Sequence, residues 1–219
     1  MLYFKLLNSM KIDEIGHYPQ TDFKAGYNPK LPNSHWQVKH NEFPDFTPNY
    51  ELELHPNAIP TNLIDGVGGY TGILLDSMFK NILNEFILPP HQFYPIKVFK
   101  NGELLDYYWF HFLSKDIWEH IDYEKSTIKI QHSINTNNFT IQPIISEDYV
   151  RKLSDYYFNK PDYKLLADKL YFKESFPKYD IINLEDIDSV TLISSNLKKV
   201  LEKEEMTGFE LKLYRPISK

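Results

Sequence analysis

The stretch that decides the fold is Thr191-Leu-Ile-Ser-Ser-Asn-Leu-Lys-Lys-Val-Leu201, and its pattern recurs in Ile73-Leu-Leu-Asp-Ser-Met-Phe-Lys-Asn-Ile-Leu83 and Pro143-Ile-Ile-Ser-Glu-Asp-Tyr-Val-Arg-Lys-Leu153. In each stretch an apolar pair precedes Asp76, Ser146 or Ser194, whose side-chain oxygen can accept hydrogen bonds from the first free amides of a helix. Apolar residues four positions apart then predict one buried stripe along each helix. The copies are short and unequally spaced, so they indicate a recurring strand, cap and helix, each followed by a strand, more than a duplicated domain.

Strand signals surround these helices. The segments 92–100 and 105–113 are predicted to be strands, and Asn101-Gly102 between them is a strong hairpin turn signal. The alternation Tyr50-Glu-Leu-Glu-Leu-His55 predicts a strand that exposes Glu51 and Glu53 on one side. We therefore expect an α+β fold, with a mixed or antiparallel sheet and a few amphipathic helices.

The first quarter of the chain differs in character from the rest. After a strand candidate at 2–7, residues 8–60 hold seven of the fourteen prolines and show little periodicity, so they predict a loop-rich segment. We interpret residues 1–62 as a loop-rich N-terminal arm packed on the same unit, and residues 63–219 as an α+β domain, together forming one globular domain.

Composition limits the classes of function. The 219 residues include no cysteine, which excludes disulfides and thiolate chemistry. The N-terminal apolar run is too short for a signal peptide, and no run approaches a membrane helix, so we expect a cytoplasmic protein without a membrane partner. The net charge of −6 argues against nucleic-acid binding and favours a basic protein partner. Aromatic residues make up 16% of the chain, and tyrosine supplies contact area in many interfaces.

No recognised catalytic or metal-binding motif occurs. His35 and His40, five residues apart, are expected to be polar surface, and neither a metal nor a cofactor is predicted. The segment Asp65-Gly-Val-Gly-Gly-Tyr-Thr-Gly72 precedes a helix but lacks the Walker lysine and the dinucleotide-binding spacing, so a structural turn is the favoured interpretation. The alternative is a small-ligand or nucleotide-processing enzyme built on this segment, with His91 or His111 as an acid-base group.

Four stretches of the sequence stand out together: Pro90-His-Gln-Phe-Tyr-Pro-Ile-Lys97, Tyr107-Tyr-Trp-Phe-His-Phe112, Ile121-Asp-Tyr-Glu-Lys-Ser126, and the tail from Leu192 to Leu201 with Thr207-Gly-Phe-Glu210. In this order they resemble an immunity-protein family of bacterial polymorphic toxin systems. The resemblance covers roughly residues 63 to 215. It implies a non-enzymatic antitoxin that binds and neutralises a cognate toxin domain made in the same cell, and it carries over no catalytic residue.

The contact surface is predicted from charge and aromatic residues. A toxin of the basic nuclease type could be steered by carboxylates and anchored by aromatic rings. We expect a monomer or small homo-oligomer when free, and a permanently assembled scaffold subunit is a third possibility. The candidate contact residues are Glu51, Glu53, Tyr107, Trp109, Asp122, Tyr123, Glu124, Tyr179, Asp180, Glu185, Asp186 and Asp188.

Overall fold

The computed structural model describes residues 1–39, 41–66, 72–113, 115–184 and 186–217, and these contain thirteen β-strands and five α-helices. The strands are β1 (Tyr3–Asn8), β2 (Thr21–Phe23), β3 (Glu51–Leu54), β4 (Leu63–Ile64), β5 (Ile73–Asp76), β6 (His91–Lys100), β7 (Glu103–Phe112), β8 (Thr127–His132), β9 (Phe139–Pro143), β10 (Tyr163–Lys169), β11 (Ile181–Asn183), β12 (Thr191–Ser194) and β13 (Phe209–Tyr214). The helices are α1 (Ile12–Ile15), α2 (Ser77–Leu83), α3 (Lys115–His120), α4 (Glu147–Phe158) and α5 (Ser195–Lys203). The expected α+β fold is confirmed. Within the described ranges, no helix has the length and apolar character needed to cross a membrane.

The strands form three sheets. A six-stranded mixed sheet has the order β2-β3-β6-β7-β5-β4, in which β3 and β6 run parallel. A four-stranded antiparallel sheet has the order β11-β12-β1-β13, so the first strand of the chain pairs with two strands close to its C-terminal end. The third sheet is antiparallel with the order β10-β8-β9.

The three predicted helix caps are present. Asp76 accepts the Phe79 amide at 2.8 Å, and Ser146 accepts the Tyr149 amide at 3.1 Å. Ser194 accepts the amides of the second and third residues of α5 at 3.2 and 3.1 Å. Each cap satisfies amides that the helix itself leaves without a partner, which explains why the helices begin at these residues.

The predicted hairpin joins β6 to β7. Asn101 and Gly102 have φ angles of 51° and 85°, the left-handed conformations that a two-residue turn of this handedness requires at both positions. The ladder then continues in register from the pair Lys100 and Glu103 to the pair His91 and Phe112.

The three-stranded sheet β10-β8-β9, which we call the small sheet, is covered on one side by α4. Val150 of this helix is fully buried and belongs to the same apolar cluster as Ile128 and Ile130 of β8 and Leu165 of β10. Tyr149, also on α4, donates its hydroxyl to the side-chain oxygen of Gln142 on β9 at 2.5 Å. The opposite side of this sheet is where the candidate functional site lies.

Candidate functional site

Two of the predicted aromatic contact residues lie in the core. Tyr107 and Trp109 are 5% and 3% exposed, because β7 runs between β6 and β5 in the middle of the large sheet. The Tyr107 hydroxyl donates to the Thr61 carbonyl at 2.6 Å, and Trp109 packs edge-on against Tyr50. The prediction that Tyr107 and Trp109 contact a partner is therefore wrong.

Asp180 is also buried, at 5% exposure. Its carboxylate accepts the Ser194 hydroxyl at 2.5 Å and the Ile87 amide at 3.1 Å, so it ties the start of α5 to the segment after α2. The prediction of Asp180 as a contact residue is wrong for the same physical reason. Its neighbour Tyr179 is half-buried, and the Tyr179 carbonyl accepts the hydroxyl of Tyr3 at 2.7 Å.

Asp186 and Asp188, two further predicted contact residues, bond to groups within the chain. Asp186 pairs with Arg151 at 2.9 Å and accepts the Trp118 indole at 3.3 Å. Asp188 accepts the Ala167 amide at 2.9 Å and the Tyr214 hydroxyl at 2.5 Å. Burial, followed by the nearby Asp188 charge, raises the pKa of Tyr214. Glu185, another predicted contact residue, lies outside the described residues.

The predicted carboxylates on the surface are matched by nearby lysines. Glu51 is 2.9 Å from Lys97, and this hydrogen bond lowers the pKa of the Glu51 carboxyl. Glu53 is 3.7 Å from Lys24. Both glutamates alternate with buried leucines along β3, as the sequence predicts. Because each charge is paired within the chain, these residues do not form a free acidic patch.

In the turn before β8, a predicted carboxylate is again paired with a lysine. Asp122 bonds Lys125 at 2.7 Å, which lowers the pKa of Asp122 and raises that of Lys125. Tyr123 is half-buried and donates its hydroxyl to the Trp118 carbonyl at 2.9 Å. Glu124 is exposed. Of the predicted set, Asp122, Tyr123 and Glu124 lie nearest in sequence to the small sheet.

Only residues 65, 66 and 72 of the glycine-rich segment are described. Residues 67–71 of this segment lie outside the described residues. A cavity of about 190 Å³ beside it is lined by apolar and polar neutral groups, among them Trp109, Tyr50 and Asn8. The carboxyl of Asp76 already binds the N-terminus of α2, which disfavours a phosphate there because both would bring anionic oxygens to the same amides.

The histidines considered for chemistry are placed in structural positions. His111 is fully buried and stacks on Trp109 at 4.8 Å, and the His91 ring bonds the Pro89 carbonyl at 2.8 Å. His35 is 2% exposed and bonds the Tyr27 hydroxyl at 2.6 Å, so its expected surface position is wrong. His40 lies outside the described residues, and the described residues hold no group of three side chains suited to a metal ion.

The small sheet leaves one side uncovered, and we call it the open face. Directly opposite residues of an antiparallel pair point to the same side of a sheet, so the strand register defines its members. Every one of them is exposed or half-buried. The open face consists of Thr127, Lys129, Gln131, Phe139, Ile141, Pro143, Lys164 and Leu166.

Strand β9 is oriented against its own apolar pattern. Phe139 and Ile141 alternate with Thr140 and Gln142, which predicts that the two apolar side chains face the core. Instead they point to the open face with 47% and 52% exposure, while Gln142 turns toward α4 and bonds Tyr149. A shift of one residue in the register would bury them. This reversal is the feature that sequence reasoning missed.

The open face carries positive charge. Lys129 lies 5.5 Å from the centre of the Phe139 ring, a cation–π contact. A recess of about 450 Å³ adjoins the open face. It is lined by Lys125, Thr127, Ile141, Asp168, Lys169 and Tyr171. Asp168 accepts the Thr127 hydroxyl at 2.8 Å, whereas no ion pair among the described residues involves Lys129, Lys164 or Lys169. The face is therefore apolar at its β9 side and cationic around it.

No protein-family model matches this chain, and no curated protein matches its sequence.

Proposed function

We propose that this chain is a non-catalytic immunity protein that neutralises a cognate toxin by stoichiometric binding, and that the toxin contacts the open face. The observation that carries the proposal is the outward orientation of Phe139 and Ile141 on an edge strand. Exposed apolar side chains on a sheet edge favour association, and natural monomers avoid this arrangement. A sequence that conflicts with its own burial pattern is typical of a functional surface.

The composition of the open face suits a protein partner. Phe139 and Ile141 on β9 and Leu166 on β10 provide apolar surface, while Lys129 on the middle strand β8 and Lys164 on β10 provide positive charge beside it. Protein interfaces commonly combine desolvated apolar side chains with charged and polar ones. The complementary surface therefore carries apolar side chains opposite Phe139 and Ile141 and carboxylates opposite Lys129 and Lys164, which differs from the basic surface that the net charge favoured.

The enzymatic alternative has weaker support. The cavity beside the glycine-rich segment is small, and its described lining holds a tyrosine but no histidine, lysine or carboxylate. His91 and His111 belong to the β6–β7 ladder and bond or stack within the chain. Acid-base catalysis needs a titratable group within reach of a bound substrate, and neither the cavity beside the glycine-rich segment nor the recess beside the open face is lined by His91 or His111.

The test is co-expression with the toxin-domain product of the adjacent upstream gene. The wild-type chain should protect the cells and co-elute with the toxin domain from a sizing column. The double variant Phe139→Ser with Ile141→Ser should lose at least about a hundredfold in affinity, because two apolar contacts of about 1.5 kcal/mol each are removed.

A matched control separates the open face from exposed apolar surface in general. Ile12 and Leu104 are 57% and 62% exposed and lie on other elements, so Ile12→Ser with Leu104→Ser should bind and protect as the wild type does. Continued killing by the toxin, with no complex on the column, would refute the immunity function. Full protection by the Phe139 and Ile141 double variant would refute the assignment to the open face.

A further inference from the structure

We infer that the free edge of β9 accepts an extended, acidic strand of the partner protein, which becomes the fourth strand of the sheet β10-β8-β9. This inference rests on the proposed function, and it specifies how the partner is held. The partner strand would bond the β9 backbone, while its side chains on the same side as Phe139 and Ile141 would meet the open face.

The hydrogen bonds between β8 and β9 determine which backbone groups of β9 are free to pair with another strand. The His132 amide donates to the Asn138 carbonyl at 2.9 Å, and the Ile144 amide donates to the Ser126 carbonyl at 3.1 Å. Hydrogen-bonded pairs recur at every second residue of an antiparallel ladder, so Thr140 and Gln142 bond β8 between these two points. The amide and carbonyl groups of Phe139 and Ile141 therefore point away from β8.

These outward groups form an unprotected edge. No hydrogen bond among the described residues outside the regular ladders involves the backbone of Phe139 or Ile141. The strand has no charged residue and no register shift, and its proline is its last residue, Pro143. Natural edge strands are usually protected by charges, bulges, central prolines or covering loops. Four free backbone groups on a regular edge match the way in which peptides add to sheets.

The other edge of the same sheet is largely occupied. On β10 the outward amides of Tyr163 and Ala167 bond the Lys160 carbonyl at 3.0 Å and the Asp188 carboxylate at 2.9 Å. The outward amide of Leu165 lies between them. An added strand could therefore form at most one complete pair on β10 and two on β9, which favours β9.

Charge selects the occupant of the β9 edge. A second copy of this chain would place two open faces side by side. The positive charges of Lys129, Lys164 and nearby Lys169 in the two copies would then repel one another. A partner strand with carboxylates would instead neutralise these lysines, and exposed charge pairs of this kind favour one partner over another. The geometry and charge together point to an acidic strand of a different protein.

The test uses a substitution that removes one outward amide. Ile141→Pro deletes that N–H but leaves the ladder to β8, because Thr140 and Gln142 make those bonds, and proline is tolerated on the open side of an edge strand. Ile141→Val is the matched control, since it keeps the amide and most of the apolar side chain. Titration calorimetry with the toxin domain should show at least a tenfold loss for Ile141→Pro and less than a threefold change for Ile141→Val.

Hydrogen exchange resolved to single amides gives the second measurement. In the complex, the Phe139 and Ile141 amides should be protected at least a hundredfold over the free chain, and the Leu165 amide should be unchanged. A complex that leaves the Phe139 and Ile141 amides unprotected, or that Ile141→Pro does not weaken, overturns the inference and leaves the immunity function in place.

Two further outcomes are distinct from these. If the free chain is a dimer that Ile141→Pro dissociates, a second copy occupies the edge and the inference of an acidic partner strand is wrong. If the wild-type chain forms no complex with the toxin domain, the proposed function fails, and the inference that rests on it fails as well.

Discussion

Replacing Asp188 should destabilise the fold and should not change the affinity for a toxin partner. Its carboxylate accepts the Ala167 amide at 2.9 Å and the Tyr214 hydroxyl at 2.5 Å, and both donors belong to residues that are at most 5% exposed. A buried donor that loses its partner costs about 1 to 3 kcal/mol. Asp188→Ala leaves two such donors, so we expect a loss of about 3 to 5 kcal/mol in the free energy of unfolding, a large share of the total for a domain.

Urea unfolding of a double-mutant cycle measures this effect. Tyr214→Phe alone should cost about 1 kcal/mol, and it should cost close to nothing in the Asp188→Ala background, where the hydroxyl has already lost its acceptor. Asp188→Asn keeps one acceptor and should lie between wild type and Asp188→Ala. If Asp188→Ala unfolds like the wild type but no longer binds the toxin, Asp188 is a contact residue and the structural reading is refuted.

Two further predictions concern a cap and a surface ion pair. Ser194→Ala should lower the free energy of unfolding by about 2 to 3 kcal/mol, because it removes a helix cap and a hydrogen bond to buried Asp180. Ser146→Ala removes a cap alone and should lower it by about 1 kcal/mol. Urea unfolding of both variants checks the order. The Lys97 ammonium lowers the folded-state pKa of Glu51 below its unfolded value of about 4.3, so the pair stabilises the fold above that pH and is lost as the pH falls through the folded-state pKa. Glu51→Gln should therefore lower the melting temperature by about 2 °C at pH 7 and by less at pH 2, as thermal melts at the two values would show.

Local chemistry made much of the fold predictable. The cap residues Asp76, Ser146 and Ser194 act within three positions of themselves, and the Asn101-Gly102 turn acts within four, so short stretches of sequence are enough to determine them. The pairing of β1 with β12 and β13 depends on contacts across almost the whole chain, and no local pattern encodes it. The fold class and the β6–β7 hairpin therefore followed from the sequence, while the division into three sheets did not.

Three of the predicted contact residues, Tyr107, Trp109 and Asp180, are buried, because exposure cannot be read from residue type. Tyr107 and Trp109 belong to a strand with neighbours on both edges, and Asp180 acquires its partners from segments far away in sequence. Phe139 and Ile141 are the opposite case: their alternation is that of a core-facing strand, and only the register with β8 turns them outward. A local rule that fails without an evident structural gain is itself a signal of function.

The net charge of this chain differs in sign from the charge of its open face. A net charge of −6 suggests a basic partner, but net charge describes the field far from the protein, and contact depends on the charges that face the partner. Glu51, Asp122 and Asp186 are each matched by a cation of the same chain, whereas Lys129 and Lys164 are not matched within the described residues. The chain is thus negative as a whole and positive on the open face. An approaching acidic strand is attracted to the open face and repelled by the negative charge of the rest of the chain. The same charge distribution would therefore oppose non-specific contacts and orient the strand toward the open face.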